Sequence, residues 1–295
     1  MEFCRKLNKC ELHAHLNGSV RVSTLQEFLL DAQRSDPNRE DLKGLVVREL
    51  KSRTLDQCFD FFDIIYKVVR TPAQITRITK EVLEDFTADR VRYAEIRTTP
   101  RRDVMSAGRY LDAVLAGFSE FREEYNATHP SDDRAGDWNP PVAARLLLSI
   151  GRSFGVQDAL STVDLAVQHS VRNGGVVVGV ELSGNPKVGN FETFLPALRR
   201  ARNAGLPVAV HTGEVHNPTE VSAILKFRPN RLGHALIMDS AHLSVLEKAP
   251  IPIEVCPTGN MITLEIDSLE EHPVLRRCLQ RGYPISLNTD DSVLF

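Results

Sequence analysis

Two histidines one residue apart, His13 and His15, stand in the string Glu11-Leu12-His13-Ala14-His15-Leu16-Asn17-Gly18-Ser19, and near the far end of the chain Asn288-Thr289-Asp290-Asp291 follows an apolar run. Residues at i and i+2 of a strand share one face. An imidazole pair so presented, met by a carboxylate from a distant strand end, is what a catalytic metal with an open coordination position needs. His211-Thr212-Gly213-Glu214 adds a third imidazole at a strand end and a carboxylic acid one short turn beyond it. Alone, a strand histidine is more often a satisfied core polar group. Together with Asp290, whose burial is costly without a partner, the three histidines point to a metal. Nitrogen and oxygen donors without thiolate suit zinc, with iron or cobalt also compatible and calcium or magnesium disfavoured.

Such residues must be carried by elements that converge. Eight short apolar runs read as strands: Lys9 to His15, Val91 to Thr98, Ala143 to Ile150, Val176 to Leu182, Leu206 to His211, Arg231 to His234, Ile251 to Cys256 and Pro284 to Asn288. Helical patterns separate them at Thr54 to Val69, Ala73 to Ala88, Leu111 to Tyr125, Val156 to Val171, Phe191 to Asn203 and Leu269 to Gln280. Continuous apolar strands alternating with helices predict a parallel sheet covered on its outside. Eight units favour an α/β fold of the (β/α)8 TIM-barrel type, expected as a single domain over residues 1–295. The polar residues that could do chemistry fall at the C-terminal ends of the runs, the face on which such barrels build active sites. Two segments break the alternation, Arg34 to Gly44 and Asn126 to Pro141, and read as surface loops, with Trp138 as a loop-packing residue.

Composition narrows the class. At 295 residues, 42% hydrophobic and 25% charged, the chain can bury a large core without disulfides. A net charge of -3 gives no global attraction for nucleic acid or membrane, so an anionic ligand needs a local basic cluster. The 5 cysteines are scattered, with no Cys-x-x-Cys pair, and read as reduced thiols. No apolar run approaches the ~18 residues of a membrane span. A cytoplasmic enzyme acting on a small molecule is expected.

Six ordered motifs make a family resemblance specific. They are Glu-Leu-His-Ala-His-Leu-Asn-Gly-Ser at 11–19, Leu-Ser-Gly-Asn-Pro at 182–186, His-Thr-Gly-Glu at 211–214, Arg-Leu-Gly-His at 231–234, Glu-Val-Cys-Pro-Thr-Gly-Asn at 254–260 and Asn-Thr-Asp-Asp at 288–291. The chain resembles the adenosine/AMP deaminase family of metal-dependent barrel hydrolases from about Lys9 to its end, most of all the adenosine deaminase-like branch that acts on N6-methyl-AMP. The resemblance implies that His13, His15, His211 and Asp290 bind one zinc ion, which leaves a position for water. It implies hydroxide attack on the purine carbon bearing the exocyclic amine. In that scheme Glu214 protonates ring nitrogen N1 and His234 orients the hydroxide or accepts its proton, a choice the sequence leaves open. Asp291 is expected at N7 and the backbone N–H of Gly184 at N3. These ligands differ from the His/Cys set of base-flipping deaminases, which argues against a nucleic-acid substrate.

Substrate choice rests on two further places. Thr98-Thr99-Pro100-Arg101-Arg102 sets two guanidinium groups and two hydroxyls after the second strand, a set suited to a phosphate. Asn17 stands where relatives acting on free adenosine typically carry Asp, whose charge would repel a 5′-phosphate. Its place two residues past His15 predicts the same face. Two positions depart from the branch: Tyr66 where a substrate-contacting His is expected, and Gly151 where an Asp follows the third strand. The family also continues past the eighth strand with covering helices that this sequence lacks. A monomer is expected, or an oligomer whose partner covers the closing strand. His129, His169, His216, His242 and His272 read as surface residues, Phe59, Phe61 and Phe62 as core or pocket lining, and Lys187 and Arg152 as weaker candidates for phosphate. The expected reaction is N6-methyl-AMP plus water to IMP and methylamine. Deamination of adenosine to inosine is the alternative, and an inactive barrel with only a binding role the alternative of another class.

Overall fold

In the computed structural model, which describes residues 2–45, 47, 54–129 and 139–294, eight strands form one sheet in chain order. They are β1 (Lys9–Glu11), β2 (Val91–Thr98), β3 (Ala143–Gly151), β4 (Val177–Ser183), β5 (Val208–Thr212), β6 (Arg231–His234), β7 (Ile253–Val255) and β8 (Ile285–Leu287). Every neighbouring pair is parallel. The helices are α1 (Glu2–Lys6), α2 (Val22–Ser35), α3 (Leu55–Val68), α4 (Pro72–Ala88), α5 (Ala107–Thr128), α6 (Val156–Gln168), α7 (Phe191–Asn203), α8 (Pro218–Phe227), α9 (Ser240–Lys248), α10 (Pro257–Leu264) and α11 (Pro273–Arg281). The fold is the expected (β/α)8 barrel, nearly closed. Trp138 lies outside the described residues.

Local chemistry explains the boundaries. Thr54 with Gln57 and Thr71 with Gln74 form capping boxes that start α3 and α4. Proline opens α8, α10 and α11, where its missing N–H is no loss. The helix expected over Leu269 to Gln280 is instead a 3-10 turn, Leu269–Glu271, followed by α11: His272 accepts the N–H groups of Val274 and Leu275 and restarts the helix at Pro273. Besides the helices named from the sequence, the structure has α8, α9 and α10, short at 10, 9 and 8 residues, and α2, whose buried stripe is Thr24, Leu25, Phe28 and Leu29. Residues 34–35, expected in a loop, finish α2, and residues 126–128 finish α5. Among the described residues no helix is long and apolar enough to cross a membrane.

β1 stops at Glu11, short of the expected His15, because the chain there turns to close the barrel. The Glu11 carboxylate accepts the N–H of His13 at 2.7 Å, the N–H of Thr289 at 2.8 Å and its hydroxyl at 2.9 Å. Leu12 N–H donates to Asn288 Oδ1 at 2.9 Å, and His15 N–H to the Asp290 carbonyl at 3.1 Å. The β1–β8 seam is thus sewn largely by side chains, which satisfies edge groups that would otherwise be orphaned. β5 is buried on both faces, whereas β8 leaves Leu287 57% exposed.

Inside the barrel lies a layer of charge. Arg97, fully buried, donates to Glu181 at 2.6 Å and Glu254 at 2.8 Å. Arg231 joins it, donating to Glu254 at 2.5 Å and also to Glu95. Removing one member would strand a buried charge, so the layer holds its residues in place. It also forms the floor on which the histidines stand.

Candidate active site

His13 leaves β1 with its ring wholly buried, and its Nδ1 lies 2.6 Å from Glu254 Oε2. Glu254 accepts at this shorter distance while Arg97 Nη1 stands 3.2 Å from the same nitrogen, so the closer carboxylate takes the Nδ1 proton and the Nε2 lone pair faces inward. That Nε2 is 3.1 Å from His211 Nε2, and His15 Nε2 is 3.2 Å from the same atom. Asp290 Oδ1 lies 3.6 Å from the Nε2 atoms of both His13 and His15. Glu181 approaches the other side of two rings, 3.9 Å from His15 Nδ1 and 3.6 Å from His211 Nδ1, a buried atom with no hydrogen-bond partner.

These donors fit a divalent metal. Ligands ~2.0–2.2 Å from a tetrahedral ion are roughly 3.3–3.6 Å apart, close to the separations seen. Without a cation the arrangement is costly: burial drives the His13, His15 and His211 pKa values well down, and burial followed by Asp291 drives that of Asp290 well up. Neutral imidazoles and a gathered carboxylate are what a metal takes up. Donor atoms of His13, His211, His234 and Asp290 lie within 4.8 Å of one another, as do those of His15, Asp290 and Asp291.

Glu214 follows β5 across Gly213, its side chain 11% exposed and Oε1 3.7 Å from His234 Nε2. Burial, opposed by Arg152 and helped by Glu181, pushes its carboxyl up to about 7. His234 ends β6 with φ +60° and Asp290 follows β8 with φ +64°, left-handed conformations that strain non-glycine residues by roughly 1–2 kcal/mol. Both turn a functional side chain inward. The His234 ring is buried, its Nδ1 2.9 Å from Asn260 Nδ2, and burial lowers its pKa to about 3.

Asp291 packs on Gly18 so closely that a Cβ there would lie 1.7 Å from Asp291 Oδ1. That oxygen is buried with no hydrogen-bond partner, and burial with Glu214 pushes the carboxyl up to about 8. Gly184, just past β4, has φ +99°, which only glycine adopts easily.

The other expected contacts are placed less simply. Asn17 lies in a 3-10 turn, Asn17–Ser19, not on a strand, so alternation does not set its direction; it is buried. The two arginines part company. Arg101 pairs with Asp103, donates to the Tyr66 carbonyl at 3.0 Å and stacks 4.5 Å over the Tyr66 ring. Arg102 reaches Asp158 at 2.9 Å and Thr162 at 3.2 Å. Thr99 is half-buried, Pro100 buried, and a side chain at Gly151 would begin 2.8 Å from the Phe154 ring and 3.6 Å from the Thr99 methyl. Phe154 fills the place of the expected Asp. His242 and His272, expected at the surface, are 5% and 1% exposed, because each helps to cap a helix.

Sequence reasoning passed over Arg97, Glu181, Glu254 and Asn260. A charged residue in the middle of an apolar strand run was the available signal for the first three. Arg152, rated a weak candidate, is 3% exposed and donates to Glu220 at 2.6 Å, with Nε and Nη1 unpartnered.

The adenosine deaminase family model matches residues 8–295. The chain is 39% identical to the N6-mAMP deaminase of Arabidopsis thaliana, over 100% of this chain and 84% of that protein, and 32% identical to the N6-Methyl-AMP deaminase of Homo sapiens, over 100% and 81%. The crystal structure of arabidopsis ADAL complexed with IMP superposes with a TM-score of 0.87 at 38% identity, covering 100% of this chain and 84% of that one. The chain belongs to the adenosine deaminase family and is a hydrolytic deaminase.

Proposed function

We propose that the protein converts N6-methyl-AMP and water to IMP and methylamine. The observation that carries this reading is Glu214, a buried acid with its carboxyl pushed up to about 7, set 3.7 Å from His234 beside the converging imidazoles. Such an acid still holds a proton near neutral pH and can place it on a purine ring nitrogen. The identity of the purine rests on the relatives, named as N6-methyl-AMP deaminases, and on the similar structure holding IMP.

His13, His15, His211 and Asp290 would hold one zinc ion. Zinc in this ligand set would lower the pKa of a bound water toward ~7 and so supply a nucleophile at neutral pH. The chain's own residues do the rest. Glu214 protonates N1 and draws electron density from the carbon under attack. Asp291, protonated up to a pH of about 8, can donate to N7. Gly184 offers its N–H to N3 from a conformation that keeps a side chain off the purine. Asn17, neutral and buried, accepts a nucleotide without repelling its phosphate. The phosphate is met by Thr99, Arg101 and Arg102, with Asp103 and Asp158, 56% and 25% exposed, released to solvent.

Those two ion pairs also favour a second reading, deamination of adenosine, since both guanidinium groups already have partners. Incubating the purified protein with N6-methyl-AMP, AMP and adenosine separates the readings. Release of methylamine with preference for the phosphorylated substrate is expected, and preference for the free nucleoside overturns the proposal.

A further inference from the structure

We infer that Asn260 and His272 are positioning residues that fix His234 as the Nε2–H tautomer, so that His234 donates a hydrogen bond into the site and does not accept a proton there. The hydrogen bonds run inward from backbone N–H groups, which can only donate. At the outer end the N–H groups of Val274 and Leu275 lie 3.3 and 3.1 Å from His272 Nδ1, which must therefore be the bare nitrogen. The ring proton is then on Nε2, 3.2 Å from Asn260 Oδ1. The same Oδ1 lies 3.1 Å from the N–H of Cys256, a donor that only an oxygen can face, and this fixes which end of the amide is which. Asn260 Nδ2 is left to donate at 2.9 Å to His234 Nδ1. Neutral His234 then carries its proton on Nε2.

All three side chains are buried, at 1% exposure for Asn260 and His272 and 3% for His234, so no solvent competes for these bonds. The chain of donors opposes imidazolium as well, because a proton on Nδ1 would face the Asn260 N–H. Two consequences follow for the site. His234 Nε2 is closed to metal ligation, so the overlapping donor groups are left with His13, His15, His211, Asp290 and Asp291, which contain the four proposed zinc ligands. Its N–H is free to orient the oxygen that attacks the purine, a role whose value for catalysis rests on the deaminase reading, although the tautomer itself does not.

The test uses the zinc-loaded full chain, ring-15N-labelled at histidine and free of substrate. The expected spectrum shows His234 Nδ1 as an unprotonated, hydrogen-bonded nitrogen and Nε2 as an N–H; the reverse pattern, or two N–H groups, overturns the inference whatever the substrate proves to be. Asn260→Asp places a carboxylate oxygen at Nδ1 and should move the proton there. With N6-methyl-AMP, kcat should fall ~100-fold, KM change less than ~3-fold, and zinc stay at one per chain. Wild-type kcat in a variant whose spectrum has inverted overturns the catalytic part. A wild type inactive on every purine tested defeats the deaminase reading while leaving the spectrum to decide the tautomer. His272→Leu and His272→Gln separate relay from capping: both alter the α11 cap, but Gln can still donate to Asn260 Oδ1 and should recover at least ~10-fold of the kcat lost in His272→Leu. Equal kcat in the two variants overturns the role of His272.

Discussion

The floor of the site and its rim are built on different terms. On the floor, each imidazole that faces the metal position has a buried carboxylate at or near its other nitrogen, and those carboxylates are tied to Arg97 and Arg231. At the rim, Arg101 and Arg102 are held by partly exposed acids, and an aromatic ring stands in for the expected Asp beside Gly151. The floor leaves few side chains room to do anything but coordinate and move protons. The rim is held by ion pairs that solvent can reach.

The largest expected effects lie on the floor. Asp290→Ala or His13→Ala should abolish stoichiometric zinc and lower kcat/KM by more than ~10⁴-fold, measured by elemental analysis and methylamine release. His13→Ala also leaves Glu254 short of a partner in a buried layer, so its thermal midpoint should fall further than that of Asp290→Ala. Equal midpoints would mean that the layer does not depend on His13.

Glu214→Gln comes next, with kcat down ~10³-fold and zinc retained. With Glu214 as the proposed acid and its carboxyl pushed up to about 7, kcat/KM in the wild type should decline as pH rises through that value, and the decline should vanish in the variant. The sign for stability agrees. A carboxyl raised above its ordinary value binds its proton more tightly folded than unfolded, so the contribution of Glu214 is present at low pH and is lost as pH rises toward 7. A profile flat from pH 5 to 9 would remove Glu214 from the role of acid.

At the rim the effects shrink and become selective. Charge-assisted hydrogen bonds are each worth roughly 1.5–3 kcal/mol, so Arg101→Ala or Arg102→Ala should cost about 10- to 100-fold in kcat/KM for N6-methyl-AMP. Adenosine, without a phosphate, should be turned over as before. An equal loss on both substrates would make these arginines structural struts between the β2 loop, α3 and α6.

The same contrast decides how much was legible in the sequence. The barrel could be read because its strands are apolar runs that end in polar residues, and all eight runs carry a strand, β2 and β6 with the expected bounds. That His13, His15, His211 and Asp290 converge could be expected because they are rare residue types at strand ends. What supports them could not: Glu11, Arg97, Glu181 and Glu254 look alike as charges in apolar strands, and only the closed sheet shows which charge meets which. The same holds for His272, whose sequence position suggested a surface and whose burial follows from capping α11. At the rim, residue type was informative but direction was not, since loops have no alternation to orient Arg101 from Arg102.

The smallest effect expected is at Gly151. A Cβ there would begin 2.8 Å from the Phe154 ring, too close for both to stay where they are. Phe154 is already 46% exposed, so its ring can turn into solvent and lose only part of its burial. Gly151→Asp should therefore cost about 1 kcal/mol, a thermal shift of roughly 2–4 °C or less, with zinc content unchanged. If the rim is as adaptable as its ion pairs suggest, the new carboxylate should alter KM for N6-methyl-AMP several-fold and leave kcat nearly alone. A collapse of zinc binding in this variant would instead show that rim and floor are one rigid unit, and the division between chemistry and substrate choice would have to be given up.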